Sequence, residues 1–301
     1  MLSVLTFNVF PGSPLPYIFN GTKSLYKYRL QLQLEEIAKI NPDIICLQEL
    51  YCRNSKNMYK SLENYNSFSG DKTSFTGVLI ANIIYCIVAA IFYYIFFQPQ
   101  PLLYIYFYKC SKILLQSSAL IEWLEGDETG LMILWKKDIF KLCSVNHLKF
   151  SNQEGDIMNY ISPRGCITLI LSFNNRDICI KNIHLNALGE NTARCKQVEE
   201  VLENINIPTI IAGDLNVHEN SIEVEKILSH NFKDTFRETN LKDNGYTWNS
   251  VNPLTKGWMR TENLRVDYIF STCIDILSSK IVFDKPPFLS DHFGILSKFK
   301  I

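Results

Sequence analysis

The sequence contains 301 residues, 47% of them hydrophobic and 13% aromatic, which is enough to bury a substantial core and excludes a disordered chain. Thirty basic and thirty acidic side chains cancel, so the sequence lacks the basic excess typical of nucleic-acid-binding proteins. Nine cysteines form neither a CxxC pair nor a zinc-ligand spacing, and this pattern favours free thiols in a reducing compartment.

The first predicted elements are a strand, a helix and a second strand. Residues 2–8 alternate between apolar and polar side chains, as in a strand. Apolar residues then recur at 30, 34, 37 and 38, which predicts a helix that ends at Asn41-Pro42. The segment 43–47, apolar from Ile44 onwards, predicts a buried strand that leads into Gln48-Glu49.

An apolar segment interrupts this pattern. No charged residue occurs between Thr73 and Tyr108. Val78–Phe97 is almost entirely apolar, and at ~1.5 Å per residue a helix of this length could cross a hydrocarbon core of roughly 30 Å. A shorter apolar run follows and contains Lys109 and Lys112. We predict an insert at 73–117 that forms a membrane hairpin or lies in the membrane interface; the alternative is a buried core element.

The second half of the chain predicts mainly strands. A hairpin is expected to join 166–173 to 178–184 around Asn174-Asn175. A helix is expected at 192–202, with Cys195, Val198 and Leu202 on one face. The remaining strands are predicted at 130–135, 208–211 (running into Gly213-Asp214), 265–270, 281–283 and 294–299.

Polar side chains follow or close these apolar runs. They are Asn8, Glu49, His184, Asn186, Asp214, Asn216, Asp267, Asp291 and His292. Carboxylates suit Mg²⁺, which prefers oxygen ligands. Amides can donate to phosphate oxygens, and histidines can transfer protons or stabilise developing charge. If these strand ends converge on one sheet edge, the set has the chemistry to hydrolyse a phosphate ester.

Six short motifs occur in a fixed order along the chain. They are Leu5-Thr6-Phe7-Asn8, Cys46-Leu47-Gln48-Glu49, His184-Leu185-Asn186-Ala187, Gly213-Asp214-Leu215-Asn216, Arg265-Val266-Asp267-Tyr268 and Ser290-Asp291-His292. They resemble the signature motifs of the endonuclease/exonuclease/phosphatase superfamily, which includes pancreatic deoxyribonuclease, abasic-site endonucleases, inositol-polyphosphate phosphatases and neutral sphingomyelinases. The resemblance implies an α/β fold: a four-layer α/β/β/α sandwich of two mixed, largely antiparallel sheets packed face to face, with helices outside. Residues 1–301 would form one catalytic domain interrupted by the insert.

The resemblance also implies a metal site. Glu49 is expected to be the main Mg²⁺ ligand with Asn8 beside it, and Mn²⁺ is the alternative ion. Asp291 is expected at a second or alternative metal position. Asp214 is expected to orient or deprotonate the attacking water, while Asn216 holds a phosphoryl oxygen.

The remaining roles fall on the histidines and their neighbours. His292, oriented by Asp267, is expected to be the catalytic histidine, and His184 to donate to the phosphate, with Asn186 also contacting the substrate. Whether Asp214 or His292 is the general base stays open. Trp248, Trp258 and Arg260 are expected in a loop beside the site.

The substrate is predicted from the insert. Because residues on both sides of the insert must share one site, a single membrane crossing is excluded. A catalytic domain held on a bilayer, facing the cytosol, points to a lipid phosphodiester. The motifs around His184 and Asp267 are similar to those of neutral sphingomyelinases, so we expect hydrolysis of sphingomyelin to ceramide and phosphocholine. A membrane-tethered nuclease and a catalytically inactive membrane scaffold are the alternatives, and no protein partner is inferred.

Overall fold

The computed structural model describes residues 1–10, 23–51, 53–70, 129–153, 163–187, 191–256 and 262–301. The predicted insert at 73–117 lies outside these residues. Within the described ranges, no helix combines the length and the apolar character needed to span a membrane.

Strands and short helices alternate along the described chain. The strands are β1 (Leu2–Asn8), β2 (Ile44–Gln48), β3 (Tyr65–Ser69), β4 (Met132–Lys136), β5 (Lys141–Lys149), β6 (Gly165–Phe173), β7 (Arg176–His184), β8 (Thr209–Asp214), β9 (Lys233–Asp234), β10 (Asp267–Thr272), β11 (Asp275–Val282) and β12 (Gly294–Lys300). The helices are α1 (Lys23–Ile40), α2 (Arg53–Lys60), α3 (Asn191–Leu202), α4 (Ile222–Ser229) and α5 (Thr235–Thr239).

The strands form two six-stranded sheets. The first has the order β11-β12-β1-β2-β4-β3 and the second β5-β6-β7-β8-β10-β9. Each sheet contains one parallel pair, β1 with β2 and β7 with β8, and its other neighbours are antiparallel. The predicted pair of mixed, largely antiparallel sheets is therefore confirmed.

Three apolar clusters stack the elements into layers. Between the sheets, Val4 of the first contacts a core that includes Leu169 and Ile210 of the second. On the outer face of the first sheet lie α1 residues such as Leu30, and on the outer face of the second lie α3 residues such as Val198. Burial of both faces of each sheet is what gives the order helix, sheet, sheet, helix.

A buried amide pair connects the two sheets. Gln48 Nε2 donates to Asn182 Oδ1 at 2.7 Å, and both side chains are fully buried. Asn182 Nδ2 donates in turn to the carbonyls of Leu47 and Met132, both at 2.9 Å. Because a buried amide is costly unless it is hydrogen-bonded, this pair fixes how the ends of β2 and β7 lie over each other.

The structure adds β3, β9, α2, α4 and α5, which were not predicted, and β11 begins earlier than the predicted strand 281–283. Strand β5 was also not predicted, and helix α3 differs from its prediction in the residues it buries. Strand β5 has no alternating pattern because it is an edge strand that pairs only with β6 and is exposed along most of its length. Helix α3 packs the predicted Val198 and Leu202 against the core, but it also buries Arg194 and Gln197, whereas the predicted Cys195 is only half-buried. These polar side chains are accommodated because Arg194 pairs with the buried carboxylate of Glu223 at 2.8 Å and Gln197 bonds to Asn186.

Candidate active site

The parallel strand pairs bring distant polar residues to one edge of each sheet. Parallel strands end on the same side, so residues that follow them become neighbours. In the first sheet Asn8 at the end of β1 aligns with Gln48 at the end of β2. In the second sheet His184 aligns with Asp214, and Asp267 at the start of antiparallel β10 also aligns with Asp214.

A side-chain hydrogen bond joins these edges of the two sheets. Asn8 Nδ2 donates to Asp214 Oδ2 at 3.0 Å across 206 positions of sequence. Asn8 is also hydrogen-bonded to the side chain of Glu49. The other oxygen of Asp214 accepts from the Asn216 backbone N–H at 2.8 Å. Residues from both sides of the predicted insert therefore build one site.

Asp214 lies at the centre of this site. Its Oδ2 is 3.6 Å from His184 Nε2 and 3.9 Å from His292 Nε2. His184 Nε2 is also 3.9 Å from Glu49 Oε1. Asp214 is 1% exposed, whereas Glu49 keeps 20% of its side-chain area exposed. Solvent therefore reaches this cluster of side chains at Glu49.

Unusual backbone conformations place three of these residues. Glu49 and Asn216 have φ values of 62° and 56°, in the left-handed region that residues other than glycine rarely adopt. Gly213 has φ 151°, and a Cβ there would lie 1.9 Å from the carbonyl oxygen of Ile183. Only glycine allows β8 to approach β7 this closely just before Asp214. Such strain is concentrated at sites where geometry serves function.

His292 forms a buried ion pair. Its Nδ1 donates to Asp267 Oδ2 at 2.8 Å, and its ring meets Trp248 edge-on with centroids 5.1 Å apart. Burial alone would lower the pKa of His292, but Asp267 and Asp214 outweigh it and raise that pKa to about 10. At neutral pH His292 is therefore an imidazolium whose Nε2–H points towards Asp214.

His184 has the opposite protonation state. Burial, together with the positive charges of Arg164 and His292, lowers the pKa of His184 well below its usual value. Its Nε2 has no hydrogen-bond partner in the described protein. The site thus contains one charged and one neutral histidine on either side of Asp214.

The two predicted amide contacts are partly used within the protein. Asn216 Nδ2 donates to the carbonyl of Leu185 at 3.1 Å. Asn186 is fully buried, and its Oδ1 accepts from Gln197 Nε2 at 2.7 Å. These bonds tie the end of β7 to β8 and to α3; direct contact of either amide with a substrate stays a prediction.

The carboxylates suit a divalent cation. Burial raises the pKa of Glu49, which Asp214 raises further, and burial together with Glu49 raises the pKa of Asp291 to about 7. A cation would offset this crowding of negative charge, and the carboxylate oxygens of Glu49 and Asp291 match the preference of Mg²⁺. Asn8 instead directs Nδ2 at Asp214, and its Oδ1 accepts from the Phe10 backbone N–H at 3.2 Å. The two predicted carboxylates therefore fit such an ion chemically, and a role for Asn8 as a ligand stays a prediction.

A second group of ligand atoms lies deeper in the site. Asp214, Asp267 and His292 offer ligand atoms within 4.8 Å of one another, and no other trio of His, Cys, Asp or Glu in the described ranges does so. This trio differs from the predicted ligand set, and its histidine already uses Nδ1 to bond Asp267.

The His292–Asp267 pair predicts a pH-dependent stability. A raised histidine pKa contributes stability that is complete below the unfolded value of 6.5 and is lost as pH rises through about 10. In chelator-treated protein, Asp267→Asn removes the main cause of this shift. The unfolding free energy of the unmodified protein minus that of this variant should therefore decrease as pH rises from about 6.5 to about 10, by at most about 1.4 kcal/mol per pH unit. Urea unfolding at several pH values measures it, with exposed Asp275→Asn as the control; a constant difference would contradict the assignment.

Comparison with known proteins defines the class. The profile of the Endonuclease/Exonuclease/phosphatase family matches residues 5–292, and the chain belongs to this family. Its members are phosphoesterase hydrolases that typically use a divalent metal ion. None of the curated proteins matches the chain by sequence.

Several solved structures have a similar fold. An endonuclease/exonuclease/phosphatase from Bacteroides vulgatus superposes with a TM-score of 0.67 at 16% identity, covering 100% of this chain and 98% of that one. D. rerio TDP2, complexed with a single-strand DNA product, gives 0.67 at 16% identity and covers 100% and 99%. A mannosyl-6-phosphatase from Bacteroides thetaiotaomicron gives 0.65 at 15% identity and covers 100% of both chains.

Several residues that support the site were not predicted. Arg164 bonds to His184, and the hydroxyl of Thr247 accepts from the Asp267 backbone N–H at 3.2 Å. Gln33 of α1 donates to the backbone carbonyls of Val9, just after β1, and Leu289, just before Ser290. The predicted hairpin already places residue 165 opposite His184. That register could have indicated that Arg164, the preceding residue, lies beside His184. Trp248 lies at the site as expected, whereas Trp258 and Arg260 fall outside the described residues.

Proposed function

We propose that this protein is a Mg²⁺-dependent phosphodiesterase that hydrolyses a phospholipid headgroup bond, with sphingomyelin as the preferred substrate. The reaction type is inferred from the environment of Asp214. Its Oδ2 lies 3.6 Å and 3.9 Å from two histidine Nε2 atoms, one neutral and one charged. An acceptor between two donors of different charge suits in-line attack of water on phosphorus.

Each group has a distinct task in this reaction. Asp214 accepts the proton of the attacking water; the raised pKa of His292 favours Asp214 over His292 as the base. His184 Nε2–H donates to a phosphoryl oxygen, and the His292 imidazolium stabilises negative charge as the bond from phosphorus to the leaving oxygen breaks. When bound at Glu49, Asn8 and Asp291, a divalent cation would neutralise charge on the phosphate oxygens.

The lipid preference rests on the sequence of the insert. The 36 positions from Thr73 to Tyr108 contain no charged side chain. An uncharged, largely apolar segment of this length is costly to expose to water and suits a bilayer. The Asn8–Asp214 bond joins residues on both sides of this segment. An insert that enters a membrane must therefore return to the side it left, and we propose that the catalytic domain is held at the cytosolic face.

A nuclease of the same fold is the second candidate. D. rerio TDP2, whose structure contains a single-strand DNA product, shares the fold over 99% of its length. Against this candidate stands the net charge of zero, because a nucleic-acid groove depends on basic side chains.

A substrate panel separates these candidates. We expect purified protein with Mg²⁺ to release phosphocholine from sphingomyelin vesicles, and Mn²⁺ to replace Mg²⁺. The panel also contains phosphatidylcholine vesicles, inositol phosphates, mannose 6-phosphate and single-stranded DNA. The Glu49→Gln variant and a chelator identify contaminating activity. Cleavage of DNA without release from any lipid would reject the lipid proposal, and no turnover of any phosphoester would reject the enzymatic one.

A further inference from the structure

Arg164 makes a contact with the site that the reaction described above does not use. It lies directly before β6, and its side chain is buried, with 7% exposure. Its Nη1 group lies 2.9 Å from His184 Nδ1 and 2.9 Å from the Tyr51 hydroxyl oxygen. The two hydrogens of Nη1 can serve these two acceptors, one each.

The position of Arg164 is determined by the backbone around it. Gly165, the next residue, pairs with His184 in the β6–β7 register, so Arg164 emerges beside the imidazole. The backbone N–H of Arg164 donates to Gln153 Oε1, and its carbonyl accepts from Gln153 Nε2, both at 2.9 Å. A Cβ at Gly165 would lie 2.4 Å from the Leu148 carbonyl oxygen, so β5 can approach here only because residue 165 is glycine.

This contact determines which nitrogen of His184 carries the proton. A guanidinium group has donors only and no acceptor, so His184 Nδ1 must present its lone pair to Arg164. The single proton of the neutral ring is then on Nε2. That atom faces Asp214 and Glu49 at 3.6 Å and 3.9 Å and has no hydrogen-bond partner in the described protein.

We propose that Arg164 is a positioning residue that holds His184 in the Nε2–H tautomer and so keeps a hydrogen-bond donor directed at the phosphoryl oxygen of the substrate. The proposal rests on the donor role of His184 in the proposed function. Without Arg164, the ring could place its proton on Nδ1 and turn a lone pair towards the substrate oxygen, which would repel it. Catalysis depends strongly on the tautomer of a histidine whose orientation is fixed by a neighbour.

The tautomer can be observed without any substrate. Histidine-labelled protein at neutral pH gives two-bond ¹H–¹⁵N correlations that distinguish the tautomers, and loss of one pattern in His184→Gln assigns the signal. We expect the Nε2–H pattern in the unmodified protein, with and without Mg²⁺, and admixture of the Nδ1–H form in Arg164→Met. An Nδ1–H form in the unmodified protein, or an unchanged pattern in Arg164→Met, would overturn the proposal whatever substrate the protein acts on.

Kinetics then tests the consequence. Arg164→Met should lower kcat by between ~10-fold and ~100-fold with little change in KM, and Arg164→Lys should restore part of it because lysine is also only a donor. Arg176→Met, at the exposed far end of the same hairpin, is the matched control and should match the unmodified protein. In a double-mutant cycle, Arg164→Met should cost little once His184 is Gln. Fully additive losses, or no rescue by lysine, would show that Arg164 does not act through His184.

Discussion

Glu49→Gln is expected to abolish metal-dependent hydrolysis, with a loss on the order of 10³-fold in kcat/KM, and to make the metal-free protein more stable. Glutamine keeps the size of the side chain but removes the negative charge that the cation requires. Burial and Asp214 both raise the pKa of Glu49, so its ionised form opposes folding at neutral pH. Relief of this cost should increase the unfolding free energy by about 1 kcal/mol.

Thermal unfolding with chelator or with Mg²⁺ measures both effects of Glu49→Gln. In the unmodified protein Mg²⁺ should raise Tm, because a ligand that binds the folded state stabilises it. In the variant this increase should disappear while the Tm in chelator rises. Glu63→Gln, at an exposed position before β3, is the control and should change neither value. A variant that keeps the full Mg²⁺ response would exclude Glu49 as a ligand.

His292→Gln is expected to lower kcat by ~10³-fold while leaving the Mg²⁺-dependent increase in Tm intact. The Asp267 and Asp214 carboxylates hold His292 as an imidazolium at neutral pH, and an uncharged amide cannot replace that charge. The effect should fall on kcat because the charge is needed mainly as the leaving oxygen becomes negative.

The same variant distinguishes the two groups of metal ligands. The trio of Asp214, Asp267 and His292 has its ligand atoms within 4.8 Å. If this trio binds the main cation, His292→Gln should lose the Mg²⁺ response in the way expected of Glu49→Gln. Exposed His230→Gln is the control for loss of a histidine, and full activity in His292→Gln would exclude a catalytic role altogether.

Much of the fold follows from local patterns in the sequence. The hairpin around Asn174-Asn175 was predicted because a turn signal separates two apolar runs, and the structure places Phe173 opposite Arg176 across that turn. Strand β5 was missed because an edge strand exposed along most of its length has no hydrophobic period to detect. The inward face of α3 was predicted correctly for Val198 and Leu202 but not for Cys195, because Arg194 and Gln197 are buried beside them through hydrogen bonds to other elements.

The candidate site shows the same division. Asn8, Glu49, His184, Asp214, Asp267, Asp291 and His292 were identified from their positions at strand ends and from ordered family motifs. Their meeting in one site depends on two parallel strand pairs lying face to face, which no local pattern encodes. The different protonation states of His184 and His292 arise from partners such as Arg164 and Asp267, which become neighbours only in the folded chain.

The sequence by itself determined the family, the kinds of groups available for chemistry and the uncharged segment from Thr73 to Tyr108. Each of these depends only on the type and order of the residues. The tertiary structure alone decided which carboxylate lies between the histidines and which nitrogen of His184 faces it. The reason is that proton positions depend on burial and on the nearest charges, and these are properties of three-dimensional packing rather than of any short stretch of chain.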